Sequence, residues 1–160
     1  MADVYVSIGS NIDKQANIKS CLQELADHFG GLVLSPIYES EAVGFEGDTF
    51  YNLVAKFETD MSVGELNQSL KAIEDKYGRD RSGPKFSGRT LDIDILTYDD
   101  LVGEFDGVQL PRDEITKNAF VLLPLQDIAP DEVHPEQQVT YARLWFFFDK
   151  ESQKLWQVTL

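Results

Sequence analysis

In the stretch Arg89-Thr90-Leu91-Asp92-Ile93-Asp94-Ile95-Leu96, acids alternate with aliphatic residues. A β-strand sends alternate side chains to one face, so Asp92 and Asp94 share a face while Leu91, Ile93 and Ile95 take the other. Two carboxylates side by side on an apolar strand repel each other and are costly to remove from water. A hard divalent cation relieves both costs. Mg²⁺ suits an oxygen-only pair and usually completes its shell with water and substrate phosphate oxygens. Arg89, just upstream, is placed to meet a polyanion. The spacing points to a metal-and-phosphate site on a rigid strand. The competing reading is an exposed strand with two solvated acids at a sheet edge.

Charge sharpens the choice. The 160-residue chain carries a net charge of −14, which argues against nonspecific binding to nucleic acid or anionic membranes. Its cations are unevenly spread: Lys71, Lys76, Arg79, Arg81, Lys85 and Arg89 lie just ahead of the acid pair. Such a segment can steer a phosphate chain toward a metal, or it can be a solvated basic loop. The length and the 42% hydrophobic content suit one domain spanning 1–160. Cys21 is the only cysteine, so no intramolecular disulfide forms. Met1-Ala2-Asp3 runs into a strand-like segment without the basic and apolar regions of a secretory leader. No apolar run has membrane-spanning length, and the expectation is a cytoplasmic protein.

The elements that must position the acids follow from periodicity. Val4–Ile8 reads as a strand. Gly9-Ser10-Asn11 reads as a turn whose Ser and Asn cap a helix carrying Ile12, Ile18, Leu22, Leu25 and Phe29. Gly30-Gly31 ends that helix. Leu32–Tyr38 reads as a strand interrupted by Pro36, at an edge or a bulge. Ser40–Thr49 reads as a loop and Phe50–Phe57 as a third strand. A second helix opens at Met61-Ser62, with a stripe of Val63, Leu66, Leu70, Ile73 and Tyr77, and stops at Gly78. The loop Arg79–Gly88 and the acid-pair strand, to Tyr98, follow. The order βαββαβ is the ferredoxin-like arrangement of an α+β protein. A C-terminal extension adds a hairpin around Gly107, a short helix at Ala119–Ala129 broken near Pro124, a helix at Thr140–Phe148 and a strand at Lys154–Leu160.

Taken with Ile8-Gly9-Ser10-Asn11, the loop from Tyr38 to Gly44, Phe50-Tyr51-Asn52 and Ala119-Phe120-Val121-Leu122-Leu123-Pro124-Leu125, the acid-pair stretch resembles the 6-hydroxymethyl-7,8-dihydropterin pyrophosphokinase family of folate biosynthesis. The likeness covers roughly residues 3–148. It implies a ferredoxin-like α/β/α sandwich that moves pyrophosphate from ATP to the hydroxymethyl oxygen of the pterin, releasing AMP. It implies two Mg²⁺ ions held by Asp92 and Asp94, with Arg79 and Arg89 offsetting charge on the transferred group. Planar guanidinium suits that task. Phe50 and Phe120 would sandwich the pterin ring; Ser40, the backbone of Val43, and Asn52 would meet its polar edge. Glu74, Arg81, Ile95 and Arg112 fall at nucleotide-contacting places. The implied partners are small molecules, met by a monomer.

The nucleotide side departs from the family pattern. Ser87-Gly88 stands for the usual Gly-Pro, Phe86 for a frequent Trp, Arg112 for a His, Asn118 for an Arg and Lys71 for a Gln. These changes leave open a non-catalytic, pterin-binding paralog with a weakened ATP site. At fold level alone, paired strand acids also resemble the palm of nucleotidyl-transferring enzymes.

Overall fold

Backbone pairing builds one main sheet, all of it antiparallel. The computed structural model describes residues 1–41, 48–78 and 91–160. Its strands are β1 (Ala2–Ser10), β2 (Val33–Leu34), β3 (Ile37–Ser40), β4 (Phe50–Thr59), β5 (Asp92–Tyr98), β6 (Gly103–Phe105), β7 (Val108–Leu110) and β8 (Leu155–Val158). The helices are α1 (Lys14–Phe29), α2 (Val63–Lys76), α3 (Ala119–Ile128) and α4 (Tyr141–Phe147). The main sheet runs β5-β1-β4-β3-β8, with β2 also on β4. The first four of these positions have the ferredoxin-like order, and β8 extends the sheet beyond β3.

Alternation sets the two faces. Val4, Val6, Ile8, Leu53, Ala55, Phe57, Ile93 and Ile95 pack with Ile18, Cys21 and Leu25 of α1 and Val63, Leu66, Leu70 and Ile73 of α2. Tyr5, Val54 and Leu96 point the other way, against Val121, Leu122 and Leu125 of α3 and Tyr141 of α4. The sheet is thus covered on both sides, as the α/β/α reading expects. Burying apolar area on both faces, at roughly 25 cal/mol per Å², is what holds the strands in register.

Several local details differ from the sequence reading. Helix α1 starts at Lys14 behind Asp13, whose φ of 45° is left-handed and whose side chain makes no capping bond. Ser10 and Asn11 are buried and bonded elsewhere: the Ser10 hydroxyl donates to the Ile12 carbonyl, and the Asn11 amide donates to the Asp48 carbonyl. Ile12 lies outside the helix and is 40% exposed. Pro124 does not break α3; it removes one backbone donor, but its buried ring packs into the core. The Pro36 interruption is a bulge, and it lies where the strand is an edge, because among the described residues β2 pairs with β4 alone. The pairing of β2 with β4 is offset by one residue from that of β3, and Ser35 spans the offset, its hydroxyl accepting from Val54 N at 2.9 Å. Helix α2 carries a reciprocal cap between Ser62 and Glu65, which satisfies two terminal N–H groups. The expected hairpin forms as β6-β7, turning through Asp106 and Gly107, both at positive φ.

Candidate active site

Strand β5 is the outermost strand beside β1. Its register places Asp94 opposite Ser7 and Asp92 opposite Gly9. Ile93 and Ile95 are buried on the α1/α2 side, so both acids face the α3 side. The Asp94 side chain is only 14% exposed. Burial and then the neighbouring Asp92 push its carboxyl up to about 6, against the opposing pull of Arg112 and Lys71. A buried carboxylate with a second acid beside it on the same face is a donor set that fits a hard dication. Among the described residues no three His, Cys, Asp or Glu side chains are grouped to hold a metal.

An edge strand leaves main-chain groups to be satisfied. Between the two acids, Ile93 N donates to Glu74 Oε2 at 2.6 Å, and the Ile93 carbonyl accepts from Lys71 Nζ at 3.4 Å. Glu74, expected on the nucleotide side, is fully buried and fastens α2 to the acid-pair strand. Ile95, also expected there, has its side chain in the core, which leaves only its main chain for a ligand. Arg112, next to Pro111 at the end of the hairpin, reaches Asp94 Oδ2 at 3.6 Å and Glu114 Oε1 at 2.8 Å. Burial works against its charge, but Asp94 and Glu114 outweigh it and raise its pKa.

The residues expected to meet the ring share the acids' face of the sheet. Asn52 sits opposite Gly9 and opposite Tyr38, and Phe50 sits opposite Ser40. The row Asp92, Gly9, Asn52, Tyr38 therefore crosses four strands. At about 4.8 Å per strand, Asp92 and Asn52 are roughly 10 Å apart. Gly9 leaves room for Asn52 in this position: a Cβ would lie 2.7 Å from Asn52 Oδ1. Tyr38 ties β3 to α3 through a short bond from its hydroxyl to Asp127. Phe120, half-buried at the start of α3, and Ser40 line a cavity of about 330 Å³ with Glu41, Ala119 and residues 151–155.

Ser40, Phe50, Asn52, Phe120, Asp92 and Asp94 thus come to one face, with Arg112 at its rim. Val43, Arg79, Arg81 and Arg89 lie outside the described residues. Sequence reasoning missed Gly9 as the seat of Asn52, Lys71 as a cation on Asp94, and Gln153. The Gln153 amide accepts from Ala119 N at 2.8 Å and donates to the Lys117 carbonyl at 2.7 Å, fixing the start of α3. For Glu74 a signal existed: it lies four residues after Leu70, on the buried stripe of α2.

Comparison with known proteins identifies a family. Residues 5–130 match the family described as 7,8-dihydro-6-hydroxymethylpterin-pyrophosphokinase (HPPK). The chain is 35% identical over 137 residues to the Aquifex aeolicus 2-amino-4-hydroxy-6-hydroxymethyldihydropteridine pyrophosphokinase, covering 84% of this chain and 85% of that one. The Haemophilus influenzae protein of the same name is 32% identical, with coverage of 97% and 99%. The Folic acid synthesis protein FOL1 of Dictyostelium discoideum is 37% identical over 88% of this chain, which spans only 22% of that longer protein. A crystal structure of a Plasmodium falciparum HPPK-DHPS mutant superposes with a TM-score of 0.73 at 14% identity, covering 91% of this chain and 41% of that one, which supports the fold. The chain belongs to the 7,8-dihydro-6-hydroxymethylpterin-pyrophosphokinase family.

Proposed function

We propose that this chain transfers the β,γ-pyrophosphoryl group of ATP to the hydroxymethyl oxygen of 6-hydroxymethyl-7,8-dihydropterin, giving AMP and the pterin diphosphate. The observation that carries this reading is a shared sheet face. Asp92 and Asp94 lie on β5, and Asn52 and Phe50 lie two strands away on the same side, a separation suited to a flat ring whose side arm meets a phosphate chain. In this reading Asp92 and Asp94 hold two Mg²⁺ ions. Bound there, Mg²⁺ offsets phosphate charge and lowers the pKa of the pterin hydroxyl. Asn52 offers both a donor and an acceptor to the ring edge, and Ser40 and the backbone of Val43, the latter outside the described residues, would meet its other polar groups. Phe50 and Phe120 stack on the ring faces, worth about 0.5–1.5 kcal/mol beyond area burial. Arg112, and with it Arg79, Arg81 and Arg89, neutralises the triphosphate; Glu74 keeps β5 in place, and the Ile95 main chain borders the nucleotide. Residues 1–160 act as one domain, since β8 pairs with β3 in the sheet that holds β1.

The test is AMP formation. It should require Mg²⁺, ATP and the hydroxymethyl pterin together, and Asp92→Ala or Asp94→Ala should abolish it in a folded protein. Pterin binding without AMP formation under these conditions would overturn the assignment.

A further inference from the structure

Two cations meet at one carboxylate. Lys71 Nζ lies 3.5 Å from Asp94 Oδ1, and Arg112 Nη2 lies 3.6 Å from Asp94 Oδ2. They arrive from different elements, α2 and the segment after β7. Each has partners elsewhere too: Lys71 lies 3.4 Å from both Glu74 Oε2 and the Ile93 carbonyl, and Arg112 bonds Glu114 at 2.8 Å. Tight charge-assisted bonds run at about 2.7–2.9 Å, so both cations screen Asp94 without capturing it. Their side chains are 33% and 35% exposed, against 14% for Asp94. Each cationic head can therefore turn toward a phosphate, Arg112 while keeping its bond to Glu114.

We propose that Lys71 and Arg112 are resident counter-cations of Asp94 that make divalent-metal binding depend on the arrival of a nucleoside polyphosphate. This rests on the reading of Asp92 and Asp94 as metal ligands. A metal ion approaching alone meets two positive charges within 4 Å of the oxygens it needs. A polyphosphate arriving with the metal gives both cations a new partner, so the carboxylate is released as the phosphate is bound. The exchange is a thermodynamic coupling, and by linkage it is reciprocal. Lys71 and Arg112 are positioning residues in this scheme: they act on the metal through Asp94 and through phosphate.

The experiment measures free Mn²⁺ by electron paramagnetic resonance during titration of the protein, with and without a non-hydrolysable ATP analogue. It compares wild type with Lys71→Met, Arg112→Gln and Asp94→Asn. Either neutral variant should bind Mn²⁺ alone about tenfold more tightly than wild type, and the gain in Mn²⁺ affinity on adding nucleotide should shrink by a similar factor. Lys71→Arg and Arg112→Lys keep the charge and should retain the wild-type ratio. Unchanged or weaker binding of Mn²⁺ alone in both neutral variants, with native circular dichroism, overturns the proposal. If one neutral variant fails to fold, the other decides. If Asp94→Asn binds Mn²⁺ as wild type does, with nucleotide present, the acid-pair reading itself fails, a separate outcome.

Discussion

Asp94→Asn should make the metal-free protein more stable while abolishing turnover. The side chain is 14% exposed, and burial together with Asp92 lifts its carboxyl from the ordinary 3.8 to about 6. At 1.36 kcal/mol per tenfold step in proton affinity, that lift bounds the cost of keeping Asp94 ionised at about 3 kcal/mol. The sign follows from linkage. The folded protein holds this proton more tightly than the unfolded chain. The group's favourable contribution is therefore complete below pH 3.8 and is lost as pH rises through about 6. Above that pH wild type carries the full cost and the asparagine variant carries none. Lys71 and Arg112 lose a partner in the variant but keep Glu74 and Glu114. Urea unfolding in EDTA should place the variant about 1–3 kcal/mol above wild type at pH 8, which for a chain of this size is a rise in Tm of about 3–8 °C. At pH 5 the gap should narrow. A variant less stable than wild type at pH 8 would refute the claim that the acid pair is strained without a cation.

Other expectations test the surroundings of the pair. Gly9→Ala places a methyl 2.7 Å from Asn52 Oδ1, so Asn52 must turn aside; calorimetry should show pterin affinity reduced about tenfold or more, with a stability loss of about 1–3 kcal/mol. Equal pterin affinity would remove Asn52 from the ring site. His134 is buried and its Nδ1 accepts from Glu136 N at 3.1 Å and Gln137 N at 3.0 Å. Burial lowers its pKa, so its contribution is full above about pH 6.5 and is lost as pH falls toward the folded value. The difference in Tm between wild type and His134→Asn should shift against wild type from pH 7.5 to pH 5, and a constant difference would show that the ring is not titrating there. Gln153→Ala removes both bonds that fix the start of α3; KM for the pterin should rise several-fold with kcat little changed, whereas a stability loss with unchanged KM would confine Gln153 to the fold.

What the sequence revealed, and what it concealed, divides along physical lines. Alternation at Asp92 and Asp94 told their common face, because a period of two survives any packing partner. The stripe Val63, Leu66, Leu70 and Ile73 told which side of α2 is buried, and all four are in the core. Local chemistry misled where a side chain had a stronger long-range use. Ser10 and Asn11 look like helix caps but are spent on Ile12 and Asp48. Pro124 looks like a break, yet the helix runs through it with Pro124 on its buried side. Residues such as Gln153, or Lys71 at Asp94, carry no local signal: their roles exist only after strands distant in sequence have come together.

The place of β5 in the sheet ties these observations into one argument. A central strand has both edges occupied by neighbours, and no side chain from the far layer can pass around it. Among the described residues β5 pairs with β1 alone, and its outer edge between the two acids faces α2. Glu74 takes the Ile93 N–H and Lys71 takes the carbonyl, so the strand is fixed without a further strand. The same opening lets Lys71, rooted on the α1/α2 side, reach Asp94 on the other. The free edge thus needs a polar clamp for stability, and that clamp carries positive charge to the carboxylate where the site needs a cation. A neutral residue at 71 would still leave Glu74 to hold the strand, but Asp94 would lose one of the two charges that temper its repulsion with Asp92.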